Sequence, residues 1–269
     1  MHGRASRAFL IAVLILVSQN GYSQVRSEPA NPSPVDYATA RFERVAQAVR
    51  IDERITIDGR LMEPAWATAR PANHFITQQP NQGLPATGDT ELYFLYDSSN
   101  LYIGVNCWDP SPDHIVINEM NEDFPVTETD SISVLLDTLH DHQSGFVFSS
   151  NAVGAKRDAQ TSNDGAQQNQ DWDGVWDVRT SRHDKGWTAE FVIPFKTLRF
   201  SREREQEWGL NAVRHLRHLN EDSHWSPLPR RYTINRASMA GTLKGLRDIE
   251  PGRNLKIKPF LTSGLTEVH

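Results

Sequence analysis

The chain has one cysteine in 269 residues, Cys107. It cannot close an intrachain disulfide, and no thiolate cluster can hold a metal. Basic residues are outnumbered, 28 Lys and Arg against 34 Asp and Glu, which leaves a net charge of −6 with neutral histidines. Phosphate binding needs a basic face, so this balance argues against a nucleic-acid partner. It says nothing against a neutral ligand. Apolar residues are only 38% of the chain, so a core has to draw on the seven Trp and eleven Phe. Long apolar runs are missing too: residues 9–17 are too few to cross a bilayer as a permanent helix. There is no internal repeat and no extended stretch with the helical period. A phosphate loop, a nucleophile elbow and a dinucleotide fingerprint are all lacking.

What is present falls into four segments. Residues 1–23 read as a secretory signal: His2, Arg4 and Arg7 give a basic start, the apolar run follows, and Gly21 and Ser23 put small residues before Gln24. The expected location is therefore the cell envelope, periplasm or outer membrane, and a lone cysteine suits an exported protein that does not rely on disulfides. Residues 24–44 are a Pro-, Ser- and Asn-rich linker with Pro29, Pro32 and Pro34. Residues 45–250 carry many short alternating segments divided by turn signals. That pattern predicts an all-β fold, an antiparallel, jelly-roll-like β-sandwich with a few short helical turns. Residues 251–269 open a further alternating segment.

Within the long segment, residues 45–51 alternate weakly and suggest an edge strand. Asp58 and Gly59 mark a turn, Pro64 starts a short helix, and Trp66 plugs the core from it. Residues 89–109 form the clearest hairpin. Cys107 alternates there with Leu101, Ile103 and Val105, which makes it a buried, inert thiol. The other face of the same strand carries Tyr102, Gly104, Asn106 and Trp108, either a binding surface or a second covered face. Further strands are expected over 130–137, 146–151, 156–160, 187–195 and 208–214. Residues 161–170 are a polar loop.

The stretch 171–195 concentrates the candidate chemistry. Trp172 and Trp176 stand among Asp171, Asp173 and Gly174, directly after the polar loop. Indole faces pack on the C–H faces of pyranose rings, and carboxylates accept hydrogen bonds from sugar hydroxyls. Core packing and a solvated turn are the structural alternatives for these residues. Beyond them, Trp187, Ala189, Phe191 and Ile193 fall on one strand face, which assigns Trp187 to the core; Trp208 and Trp66 are assigned there too. Arg157 and Asn106 are secondary sugar-binding candidates. Asp123, Glu128 and Asp130 offer oxygen ligands of the type calcium takes, with no loop motif to fix them. His215 and His218 lie with Arg214 and Arg217 in a patch expected at the surface. A glycoside hydrolase needs two carboxylates flanking the bond. None here sits in an acid/base motif, Glu190 being the nearest candidate.

Residues 57–66, Ile-Asp-Gly-Arg-Leu-Met-Glu-Pro-Ala-Trp, resemble the opening signature of family 9 carbohydrate-binding modules. The order that follows is also similar: Thr90 and Glu91, Tyr96 and Asp97, residues 130–137, then Trp187 to Glu190 with Ile193, Pro194 and Phe195. The resemblance runs over about residues 45–246. It extends, through residues 172–176, 195–200, 208–211 and 251–255, to a subgroup of bacterial envelope proteins in which such a module precedes an outer-membrane β-barrel. The resemblance implies a non-catalytic β-sandwich that grips xylan or β-glucan chains between two tryptophans, holds structural calcium, and travels with carbohydrate catabolism. Trp108, Trp172 and Trp176 are the indoles suited to that grip. It implies as well that residues 251–269 begin a truncated barrel. Two other functions stay open: an accessory domain of the barrel with no sugar of its own, and a hydrolase of O-glycosyl bonds.

Overall fold

The structure, a computed structural model, describes residues 35–251. The signal at 1–23, the first part of the linker and the barrel start after Pro251 lie outside the described residues. Thirteen strands follow one another: β1 (Val45–Arg50), β2 (Ile76–Gln79), β3 (Thr90–Tyr96), β4 (Asn100–Trp108), β5 (Ser131–Asp137), β6 (Gly145–Asn151), β7 (Lys156–Ser162), β8 (Gln167–Asn169), β9 (Asp177–His183), β10 (Gly186–Pro194), β11 (Glu205–Leu216), β12 (Glu221–His224) and β13 (Gly241–Arg247). The helical elements among the described residues are short 3-10 turns, the longest being Pro64–Thr68 with Pro64 at its start. The all-β expectation holds.

The sandwich expectation needs correction. The strands run in one curled, partly mixed sheet, ordered β8-β7-β6-β5-β11-β13-β1-β3-β4-β10-β9, with β12 on β11 and β2 on β12. The joint is β1. Its first half pairs in parallel with β13 (Val45 opposite Thr242) and its second half in parallel with β3 (Ala48 opposite Phe94). β1 is thus an interior strand, not an edge. Its alternation is weak in sequence because the inward residues are the small, buried Ala46 and Ala48, where the two halves of the sheet turn toward each other.

Between those halves lies the main core. Phe94, Ile103, Val105 and Phe191 come from one half, Ile132, Val134, Phe148 and Leu210 from the other. Trp187 and Trp208 are fully buried among them, and Cys107 is a buried free thiol whose pKa burial pushes up to about 11. Each such side chain contributes roughly 1.5–3 kcal/mol by leaving water. Trp66 caps a second cluster with Leu95 and Tyr102 on the outer face of β3 and β4. Gly104 makes room for it, since a Cβ there would stand 2.8 Å from the indole.

Candidate functional site

Asp158 on β7 ties the residues after β8 to the sheet. Its Oδ2 accepts hydrogen bonds from Trp176 Nε1 at 2.5 Å and from the Gly174 backbone N–H at 3.0 Å. Burial raises its pKa above the ordinary carboxylate value. Around this anchor a cavity of about 240 Å³ is lined by Asp123, Arg157, Asp171, Trp172, Asp173 and Trp176, with Glu122, Lys156, Asp158 and Gln170. The structure therefore brings together five of the seven sugar-binding candidates and one of the calcium candidates.

Their exposure differs. Trp172 is half-buried, tilted on Phe146 at 5.0 Å and edge-on to Phe148 at 5.9 Å. Gly174 is required beside it, because a Cβ would meet the Trp172 ring at 2.6 Å. Asp171 and Asp173 are exposed at the rim. Trp176 departs from the platform expectation. It is 5% exposed, stacked on Phe191 at 5.8 Å with the Lys156 ammonium 4.9 Å from its ring centre. Its indole is a core residue, so no two-tryptophan clamp forms here.

Asn106 and Trp108 lie elsewhere, on β4. Asn106 Nδ2 and Trp108 Nε1 both donate to Glu91 Oε2, at 3.4 and 3.1 Å, and Trp108 meets His183 edge-on at 5.4 Å. They do not line the Trp172 cavity.

A second cavity, of about 310 Å³, shares Arg157 and Asp158 with the first. Its floor is built from small side chains on neighbouring strands: Ser133 on β5, Ser149 and Val147 on β6, Ala159 on β7 and Val213 on β11. Ser149 Oγ donates to Ser133 Oγ at 2.7 Å. Gln78, His215, Asp222, His224, Arg230 and Tyr232 contribute to the walls. His215 Nδ1 and Asp222 Oδ1 are 2.6 Å apart, and Arg217 also donates to that oxygen. His224 is buried, and desolvation lowers its pKa to about 3, with His215 adding to the effect.

Sequence reasoning missed this cavity. The patch at 214–218 was expected at the surface, yet Arg214 is 1% and His215 6% exposed. Polarity misled: β11 runs on to Leu216, with β5 on one side and β12 on the other, so its polar end is interior. The legible signals were the alternation carried through His215 and the paired small residues Ser133 and Ser149 on adjacent strands.

The calcium trio is not assembled. Asp123 and Glu128 are exposed, whereas Asp130 is fully buried. Asp130 instead meets Asp109 and His218, each with one ligand atom within 4.8 Å of the others. Asp130 Oδ2 accepts from the Val116 N–H at 2.8 Å, and Asp109 Oδ1 from the Ser111 N–H at 2.7 Å. The partner oxygens, Asp130 Oδ1 and Asp109 Oδ2, are buried with no hydrogen bond, as are both ring nitrogens of His218. The Arg214 guanidinium stands 3.8 Å from Asp109 Oδ2, an ion pair too long for a hydrogen bond. This buried cluster can coordinate a metal ion.

Glu190, the nearest candidate for an acid/base role, is turned toward the protein. It is fully buried and accepts three hydrogen bonds, from the Asp58 and Gly59 N–H groups at 2.9 and 2.8 Å and from Trp66 Nε1 at 3.1 Å. Burial raises its pKa, but its oxygens face protein donors rather than a cleft.

Comparison with known proteins bears on these sites. A family model described as "Carbohydrate family 9 binding domain-like" matches residues 57–218. A solved family 9 carbohydrate-binding module from Caldicellulosiruptor kristjanssonii, in complex with glucose, superposes with a TM-score of 0.53 at 15% identity, over 80% of this chain and 100% of that one. A crystal structure of a putative carbohydrate-binding protein from Bacteroides uniformis gives 0.60 at 10% identity, over 77% and 99%. No curated protein is matched by the chain. At these identities the structural likenesses show the shared fold.

Proposed function

The chain belongs to the carbohydrate family 9 binding domain-like family, and on that premise we propose that it binds glycans without cleaving them. The observation that carries the reading is the pair of adjoining cavities that share Arg157 and Asp158. One offers a half-exposed indole, Trp172, with carboxylates at its rim. The other offers imidazole, amide and guanidinium groups over a floor of small residues. Small-ligand sites have about 300–1,000 Å³ and a few convergent polar groups. The larger of the two fits that description, and Trp172 supplies an apolar ring for the adjoining sugar. The ligand class we assign is a xylan- or β-glucan-type chain.

A binding role suits the carboxylates. Asp158 and Glu190 spend their oxygens on protein donors, and Asp222 is held by His215 and Arg217. None of these three is left free to protonate a leaving group while a second activates water. Affinity electrophoresis in xylan- and glucan-containing gels tests the reading. Retardation of the protein that Trp172→Ala weakens supports it; unaltered mobility in every glycan rejects it.

The cation belongs to the same proposal. Asp109 and Asp130 would hold it through their unpartnered oxygens, with His218 beside them. Calcium there would neutralise two buried carboxylates that Arg214 satisfies only in part, and so support the fold rather than any reaction. We propose further that the protein is exported to the envelope and stands ahead of an outer-membrane barrel. The basic-apolar-small pattern of residues 1–23 and the alternation after Pro251 support this. The reading of an accessory domain without a sugar is favoured only if both cavities prove inert toward glycans.

A further inference from the structure

The larger of these two cavities is bordered by charged groups that a neutral sugar leaves unmatched. Its two carboxylates are already matched. Asp222 accepts from His215 Nδ1 and Arg217, and Asp158 from Trp176 Nε1 and the Gly174 N–H. Its two guanidiniums are not. Arg157 donates through Nη1 to the Phe124 carbonyl at 3.0 Å. Arg230 donates through Nε to the Gln78 carbonyl at 3.1 Å and through Nη2 to the Pro80 carbonyl. All three acceptors are neutral. Among the described residues, neither arginine has a carboxylate within ion-pair distance. Arg157 is half-buried and Arg230 exposed, so two guanidiniums without a carboxylate partner border one cavity and remain open to a ligand.

Resting on the glycan-binding reading, we propose that this cavity selects an acidic sugar, a hexuronic acid residue carried on the bound chain, whose carboxylate is taken by Arg157 and Arg230. A carboxylate matches the planar fork of a guanidinium and accepts two of its N–H groups at once. The rest of the cavity suits the remainder of such a residue. Ser133 and Ser149 give a floor of small side chains, and the Thr233 hydroxyl offers a donor and an acceptor for ring hydroxyls, while Gln78 Nε2 is held by the Leu228, Pro229 and Tyr232 carbonyls. Arg157 also lines the Trp172 cavity, whose own lining is acidic (Glu122, Asp123, Asp171 and Asp173), so the uronate carboxylate would lie toward Arg230, away from those acids, with an uncharged neighbour beside the indole.

The test is isothermal titration of the full chain with two probes of equal backbone length, xylotriose and xylotriose bearing one glucuronic acid. The acidic probe is expected to bind about tenfold or more tighter. The gap should narrow between low and high salt, because screening weakens the charged contact alone. Arg157→Gln should bring the two affinities to within about twofold of each other. Arg230 also holds the Gln78 and Pro80 carbonyls, so Arg230→Lys serves as the second variant: it keeps the charge and loses the fork, and is expected to give an intermediate ratio. Equal affinities for the two probes in the wild-type protein overturn the uronate assignment while leaving glycan binding in place. A wild-type preference that Arg157→Gln and Arg230→Lys both leave intact overturns the assignment to this cavity. Binding of neither probe overturns the glycan reading together with it.

Discussion

Glu190 is the residue through which the chain's most recognisable sequence stretch becomes structure. One buried carboxylate receives two backbone N–H groups of the Asp58–Gly59 turn and the indole of Trp66. Removing it leaves three donors unsatisfied, each costing about 1–3 kcal/mol. Glu190→Ala is therefore expected to lower stability by about 3 kcal/mol or more in urea unfolding, without any effect attributable to lost hydrolysis. A second residue-scale consequence concerns pH. His224 is neutral in the fold, with a pKa lowered from 6.5 to about 3 by burial. In the unfolded chain it takes up a proton below pH 6.5, so between about 6.5 and 3 the unfolded state binds more protons and stability falls as pH falls. In His224→Gln this contribution is gone. Its melting temperature should drop less than that of the wild type between pH 7 and 4.5, and parallel curves would show that His224 does not carry the effect.

At the scale of elements, much was legible and the failures share a cause. The strand at 187–195 could be read because its alternation is aromatic and complete: Trp187, Ala189, Phe191 and Ile193 are buried as their period requires. The hairpin of β3 and β4 was legible for the same reason. β1 was misplaced at an edge because its inward residues are alanines, which carry little apolar signal. The polar end of β11 was misplaced at the surface because the pairing of β12 and β2 beyond it is a long-range fact with no local signature. The candidate site was half legible. Residues adjacent in sequence, 171–176, were found together with Arg157, whereas the second cavity draws on nine separated segments. Trp176 stayed open between platform and core because sequence shows an indole beside acids, not the Phe191 ring it stacks on. The turn that Glu190 holds yields a prediction at this scale. Gly59 has φ +86°, and a Cβ would lie 2.5 Å from the Thr180 backbone carbon. Gly59→Ala is expected to destabilise by about 1–3 kcal/mol through the left-handed backbone alone, and by more through the clash with β9. A thermal melt unchanged by this substitution would contradict the tight approach of the turn to β9.

For the whole molecule, one curled sheet encloses the main core; Trp172 packs against that core, whereas the floor of the second cavity lies on the opposite face of β5 and β6. Both cavities include residues of β7, and the buried acidic cluster lies between the end of β4 and the start of β5. If that cluster takes a cation, adding a chelator should lower the melting temperature by several degrees, and calcium should restore it. Asp130→Asn should abolish both responses; a melt indifferent to chelator would leave Arg214 as the sole counter-charge. If the proposed export signal is real, cell fractionation should find the protein in the envelope with its mature N-terminus at Gln24. A cytoplasmic protein retaining Met1 would remove the envelope proposal without touching the fold.

The most direct test of the central claim is isothermal titration of the chain with xylo- and cello-oligosaccharides, with product analysis of the same samples. The account predicts saturable heat, diminished by Trp172→Ala and by Arg157→Gln, and oligosaccharides recovered intact. Flat titrations with every glycan, from a protein that circular dichroism shows to be folded, would contradict it.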